Sequence, residues 1–214
     1  MRSSPDPFLA TVASYDRSAA LFAERTKDRT FAAGLYARFA ELAPGRTMLD
    51  LGSGPAYDGA ELAKRGFLVT ACDATRGLLK EALGQAMLHG RLVLGDAREL
   101  PLRAGSFDAI WACASLLHIP RPEVRRSLAE ALRVLRPGGL LFTSMQEGAS
   151  EGLVPVNESD SLAGRFYVYY RAEEWTSLLE GSGFELIEER LKRTTDHLNP
   201  GATGWIETFA RKPR

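Results

Sequence analysis

The 214-residue sequence predicts an α/β fold, a parallel sheet with helices on both faces. Three observations carry this. Short apolar runs of strand length alternate with segments of helical periodicity from about residue 47 to residue 143. A glycine-rich turn follows the first run directly, and an aspartate ends the second. Alternation of this kind buries each strand on both faces, which a parallel sheet between two helical layers requires.

Each element has a local reason. Residues 8–25 and 28–42 carry apolar side chains at helical spacing, with Phe31, Leu35, Phe39 and Leu42 as the clearer stripe, and Pro44-Gly45 ends this section. Thr47 to Leu51 is the first strand. Residues 56–65 form a helix closed by Gly66, and Phe67 to Cys72 is the next strand. Thr75 can cap a helix bearing Leu78, Leu79, Ala82, Leu83 and Ala86. Arg91 to Gly95 is a third strand, and Phe107 to Ala112 a fourth. A helix opens at Pro122 with Val124, Leu128, Leu132 and Leu135 on its inner side. Arg136-Pro137-Gly138-Gly139 stops it and starts the strand Leu140 to Thr143. The pattern lapses over residues 146–171, a stretch long enough to be a functional loop. A helix from Glu173 to Glu180 and two strands, Phe184 to Arg190 and about 204–210, complete the chain.

Composition removes several functions. Lys+Arg and Asp+Glu both number 27, so there is no excess of positive charge for holding many phosphates. No nucleic-acid partner is expected. No apolar run reaches the roughly 20 residues of a membrane span, and the first residues lack the form of a secretion signal. With only Cys72 and Cys113, neither a disulfide framework nor a thiol zinc site is available, and a reduced, cytoplasmic protein is expected.

The chemistry concentrates at the strand tips. Asp50-Leu51-Gly52-Ser53-Gly54-Pro55-Ala56 follows a strand and opens a helix, where glycines let the backbone approach a ligand. Asp73, ending the next strand, can take both hydroxyls of an adenosine ribose; a helix-capping aspartate is the competing reading. A dinucleotide fingerprint would want a third glycine where Tyr57 stands, so that alternative weakens.

With these motifs the chain resembles the class I S-adenosylmethionine-dependent methyltransferases, over residues 45–145 most specifically. Asp50, Gly52 and Gly54 match that family's first motif, with Ala56 in place of its last glycine; Ser53 and Ala74 fall within the matching turns. Asp73 matches its ribose-binding acid. Gly95-Asp96-Ala97 matches the segment that reads the adenine edge, and Leu135 to Gly139 the segment leading into the fifth strand. The resemblance implies a doubly wound, mostly parallel seven-stranded sheet, a Rossmann-like methyltransferase fold whose last two strands are antiparallel. It implies one domain: a helical lid over residues 1–43, a cofactor core over 45–145, a substrate cap over 146–171, and a C-terminal helix and strand pair over 172–214. The implied cofactor is S-adenosylmethionine.

Substrate-side readings are less constrained. His118 is the candidate general base, because histidine titrates near neutral pH; a structural histidine competes with that role. Cys113 could meet the cofactor through its backbone. Tyr15 resembles the family's lid aromatic, against the plain reading of an apolar helix contact. Tyr167, Tyr169, Tyr170 and Arg171 are candidate acceptor contacts; in a strand Tyr167 and Tyr169 share one face and Phe166, Val168 and Tyr170 the other, one of them core. Arg165 and Arg171 flank this run and could pair with an acidic substrate, against the default expectation of exposed arginines. Arg121, Arg125, Arg126, Arg133 and Arg136 read as the solvated side of one helix. His89 and His197 carry no expected role. The expected reaction is methyl transfer to an O, N or C atom of a small-molecule acceptor, by a monomer or homodimer. RNA or protein methylation, a non-catalytic cofactor-binding module and a nicotinamide dehydrogenase are the alternatives.

Overall fold

A computed structural model describes residues 6–88, 90–153, 164–193 and 201–214. His89, His197 and residues 154–163 of the expected cap lie outside the described residues.

Three helices lead the chain: α1 (Pro7–Arg17), α2 (Ala19–Thr26) and α3 (Ala33–Leu42), the last entered through a 3-10 turn, Thr30–Ala32. Residues 8–25 are thus two helices instead of one. They part at Ser18, whose backbone stands at φ −112° and ψ 15° and whose hydroxyl bonds back to the Ser14 carbonyl, offering the chain an alternative to the helix ladder. Phe31 falls in the 3-10 turn and is 61% exposed, beneath the Arg29 guanidinium, so it leaves the predicted stripe.

The alternating section follows: β1 (Thr47–Leu51), α4 (Tyr57–Ala63), β2 (Leu68–Asp73), α5 (Arg76–Ala82), β3 (Leu92–Leu94), β4 (Phe107–Cys113), α6 (Arg121–Val134) and β5 (Leu135–Glu147). Next come a small antiparallel hairpin, β6 (Glu151–Leu153) with β7 (Phe166–Val168), then α7 (Ala172–Glu180), β8 (Glu185–Arg193) and β9 (Gly204–Arg211). The sheet has seven strands in the order β3-β2-β1-β4-β5-β9-β8, parallel through β5, with β9 antiparallel to both neighbours. Strand order reverses between β1 and β4, and the crevice above their carboxyl ends is where such folds bind ligands.

Apolar clusters cover both faces. Trp111, Phe142 and Phe209 pack under α3 and α4, with Trp111 stacked on Phe142 at 4.0 Å between ring centres. Leu128, Ala131, Trp175 and Leu179 fill the face beneath α6 and α7. β5 runs four residues past the predicted Thr143, because β9 pairs with it continuously from Leu140 to Glu147. Tyr167, Val168, Tyr169 and Tyr170 are all buried, so both faces of the aromatic run are core. The hairpin is covered on two sides, by α1 and by the segment after β4, which a free strand would not be. Among the described residues no helix is long and apolar enough to cross a membrane.

Candidate active site

A cavity opens above the tips of β1, β2 and β4, walled by the turns after those strands and by α1 and α2. Its floor is the turn after β1. Gly52, Gly54 and Ala56 stand at φ 69°, 54° and 60°, so Ala56 holds the left-handed backbone that a third glycine would adopt freely. A side chain on Gly52 would lie 2.2 Å from Ser115 Cβ. The turn's N–H groups are used internally: Gly52 and Ser53 donate to the Cys72 carbonyl, and Gly54 donates to Asp73 Oδ2 at 2.8 Å. They are therefore not free for a ligand, unlike the expectation from sequence. The hydroxyls of Ser53 and Ser115, both on the lining, have no hydrogen-bond partner among the described residues.

Asp73 is buried on the wall with its second oxygen accepting from the Thr75 N–H. Burial raises its carboxyl pKa, against those two N–H bonds. Thr75 begins α5 as predicted, but its side chain makes no cap; Asp16 of α1 accepts from the Gly77 N–H instead, tying the lid to α5. Asp50 lies beneath the turn and accepts from the Gly59 N–H at 3.0 Å. Burial first, then the nearby Asp58, pushes its carboxyl well up.

Asp58 is a hub that sequence reading missed. It receives Arg29 through Nε at 2.6 Å and Nη2 at 2.7 Å, the Tyr36 hydroxyl, and Trp111 Nε1 at 3.0 Å. Arg29 lines the cavity and also reaches Cys113 Sγ at 3.7 Å. Its charge is reinforced: burial opposes it, and Asp58 outweighs the burial. Cys113 is pushed up by burial, with no base beside it, so a thiolate role finds no support. The available signal was Trp111 itself, a buried indole that needs an acceptor.

Asp96 is placed differently from expectation. Its carboxylate is gripped by Arg98 through Nε at 3.0 Å and Nη2 at 2.8 Å, and Gly95 and Ala97, not Asp96, line the cavity. Arg98 also holds Asp6, the N-cap of α1, and Glu123, each at 2.9 Å, and lies 4.4 Å over the Phe8 ring. The cluster fastens the start of the lid beside the β3 tip.

The lid closes the roof. Phe8, Thr11, Val12, Tyr15 and Phe22 line the cavity from above. The Tyr15 hydroxyl meets His118 Nε2 at 2.9 Å, and His118 Nδ1 meets the Phe166 carbonyl at 2.7 Å. A carbonyl only accepts, so Nδ1 carries the proton and Nε2 accepts from Tyr15. Burial, with Arg165 adding to it and the Phe166 carbonyl opposing, pushes His118 down to about 4. The ring is neutral and both nitrogens are engaged.

The expected acceptor contacts separate. The Tyr167 ring lies 4.7 Å from His118, and Tyr169 stacks beyond it at 6.4 Å. Tyr170 packs on Trp175 and under Arg121, and Arg171 is exposed at the start of α7. None of these four is on the cavity lining. The arginines around α6 are tied to neighbours: Arg121 to Glu174, Arg126 to Glu99, Arg133 to Glu130 and Arg136 to Asp108.

A family model described as a methyltransferase domain matches residues 48–139, the segment that builds this floor. That match ties residues 48–139 to methyltransferase domains. Among proteins similar to this chain is the demethylmenaquinone methyltransferase of Corynebacterium glutamicum, 38% identical over 47% of this chain and 42% of that one. Methyltransferase GfsG of Streptomyces halstedii is 30% identical over 72% of this chain and 58% of that one. The matches thus span about half the length of these curated relatives. Among solved structures, a Burkholderia thailandensis 1,6-didemethyltoxoflavin N1-methyltransferase with S-adenosylhomocysteine superposes with a TM-score of 0.71 at 22% identity, covering 100% of this chain and 93% of that one. The [4+2]-cyclase SpnF gives 0.74 at 20% identity, covering 98% of each. At these identities the likeness concerns the fold.

Proposed function

We propose that the protein transfers a methyl group from S-adenosylmethionine to an O, N or C atom of a small-molecule acceptor. The observation that carries this is the cavity itself: a side-chain-free turn at Gly52 and Gly54 and the buried Asp73, facing one space above the first strands and beneath a lid. The residues fit such a cofactor. Asp73 has two oxygens fixed by backbone N–H groups, with lone pairs left for vicinal hydroxyls. Arg29, held rigid by Asp58, suits a carboxylate, and the partnerless hydroxyls of Ser53 and Ser115 suit a polar ligand. Apolar Ala74, Ala97, Leu116 and Ile119 suit an adenine ring.

The cofactor when bound supplies an already activated methyl, so the protein's part is alignment and exclusion of water. Tyr15 and Phe22 exclude solvent from above. His118 acts as a positioning residue: it holds Tyr15 down through Nε2 and the hairpin through Nδ1, and it can serve as a base only if Tyr15 lets go. A small-molecule acceptor is supported by relatives named for quinol and toxoflavin substrates. Two unpaired thiols suit a cytoplasmic setting.

Calorimetry with S-adenosylhomocysteine tests the assignment. Binding to the wild type, weakened at least about tenfold in Asp73→Asn, is the expected outcome. Tighter binding of a nicotinamide dinucleotide would refute it. The closed latch over the acceptor side favours one second reading, a module that binds the cofactor without transfer. Metabolite extracts with labelled methyl donor separate the two, since transfer of label to any extract component excludes the module.

A further inference from the structure

Arg165 is a buried cation on the far side of the lid from the cavity. It stands at the turn into β7, where an arginine is by default exposed; instead it is 0% exposed. Its guanidinium carbon lies 3.7 Å from the centre of the Tyr15 ring and 5.2 Å from that of Phe22, the two rings that roof the cavity. Nη2 donates to Ser18 Oγ at 3.0 Å, at the elbow between α1 and α2. Nε and Nη1 have no partner and are sealed from solvent.

A buried guanidinium is normally paired with a carboxylate, and Arg29 and Arg98 in this same chain both are. Among the described residues, the groups that face Arg165 are two rings, a neutral hydroxyl and a neutral imidazole. Attraction to aromatic faces recovers less than the cost of desolvating an unpaired charge. No carboxylate among the described residues pairs with it, so the shut lid carries a positive charge directly behind the wall of the ligand cavity, where water cannot screen it. A charge so placed attracts an anion through a low-dielectric wall and penalises closure when none is present.

We propose that Arg165 is a charge-recognition residue, so that the closed lid is completed by an acceptor carrying a negatively charged oxygen (a carboxylate, a phosphate or an ionised phenol) and is disfavoured without one. The inference rests on the cavity being the ligand site. It narrows the acceptor from any small molecule to an anionic one, and it couples closure to arrival of the correct charge.

Hydrogen exchange of residues 7–26 in the full-length protein tests this, with wild type, Arg165→Met and Arg165→Gln, each alone, with S-adenosylhomocysteine, and with S-adenosylhomocysteine plus benzoate or inorganic phosphate at chloride-matched ionic strength. Without ligand, the lid of Arg165→Met should exchange at least about fivefold more slowly than wild type, because closure no longer buries an unpaired charge. In wild type, benzoate or phosphate should slow exchange about fivefold beyond the homocysteine product alone, and neither should do so in the two variants. Whichever of the two anions acts distinguishes a carboxylate from a phosphate acceptor. Faster lid exchange in Arg165→Met would make the stack on Tyr15 a plain structural contact and overturn the proposal. So would full protection by S-adenosylhomocysteine alone, which would assign the charge to the cofactor's own carboxylate, or an absence of any anion effect in wild type. If S-adenosylhomocysteine fails to bind wild type by calorimetry, it is the cavity assignment that falls, and the first comparison still judges Arg165.

Discussion

Acidification should loosen the lid through His118, and the size of the effect follows from its two partners. Unfolded, a histidine titrates near 6.5; folded, His118 titrates at about 4, because burial and then Arg165 disfavour its charge more than the Phe166 carbonyl favours it. The folded state binds the proton less tightly, so between those two values the unfolded chain holds more protons, and stability present above about pH 6.5 is lost as pH falls toward 4. At about 1.36 kcal/mol per pH unit the whole interval amounts to about 3 kcal/mol, and about 2 kcal/mol of it is gone by pH 5. Protonation also removes the Nε2 lone pair that accepts from Tyr15, so the loss falls on the latch between α1 and the hairpin. Urea unfolding of wild type and His118→Gln at about pH 7.5 and pH 5 measures it. Asp50 and Asp73 have raised carboxyl pKa values and push the other way, but they do so in both proteins and cancel in the difference. Wild type should lose about 2 kcal/mol more than the variant. Equal losses would mean that His118 is not the buried neutral latch described above.

Two further outcomes are expected. Asp58→Asn leaves the Arg29 guanidinium, whose side chain is 18% exposed, without its carboxylate, and should destabilise the fold by about 3–5 kcal/mol in urea unfolding; a loss under 1 kcal/mol would show that solvent already satisfies Arg29. Gly52→Ala forces an alanine to φ 69° and sets its Cβ against Ser115, so it should cost at least the roughly 1–3 kcal/mol of a strained backbone and abolish S-adenosylhomocysteine binding in calorimetry; retained affinity would mean that the turn rearranges at little cost.

The strand and helix order was legible because it depends on neighbours a few residues apart. Thr47–Leu51 reads as a buried strand from its own side chains, and Gly52 and Gly54 read as a turn because few residues other than glycine reach those dihedral angles freely. The same holds for Asp73, which caps its own strand two residues before Thr75. Boundaries drifted where a distant partner decided them, as when β9 extended β5 to Glu147.

Side-chain roles at the site depended on partners that no local pattern supplies. Asp96 sits at the expected strand tip, yet Arg98 takes its carboxylate, while Arg98 is itself drawn in by Asp6, 92 residues away. His118 looks like a base in sequence; Tyr15, 103 residues earlier, and Phe166, 48 later, turn it into a latch. Arg165 meets Ser18 across 147 residues and is buried against the Tyr15 and Phe22 rings of the same lid. The sequence by itself determined the parallel, helix-flanked core of the sheet and the glycine turn, because backbone dihedrals and alternating burial are local properties. Only the tertiary structure decided which charges are paired, which are stranded and which ring nitrogen carries the proton, because those depend on what the fold brings together from far along the chain.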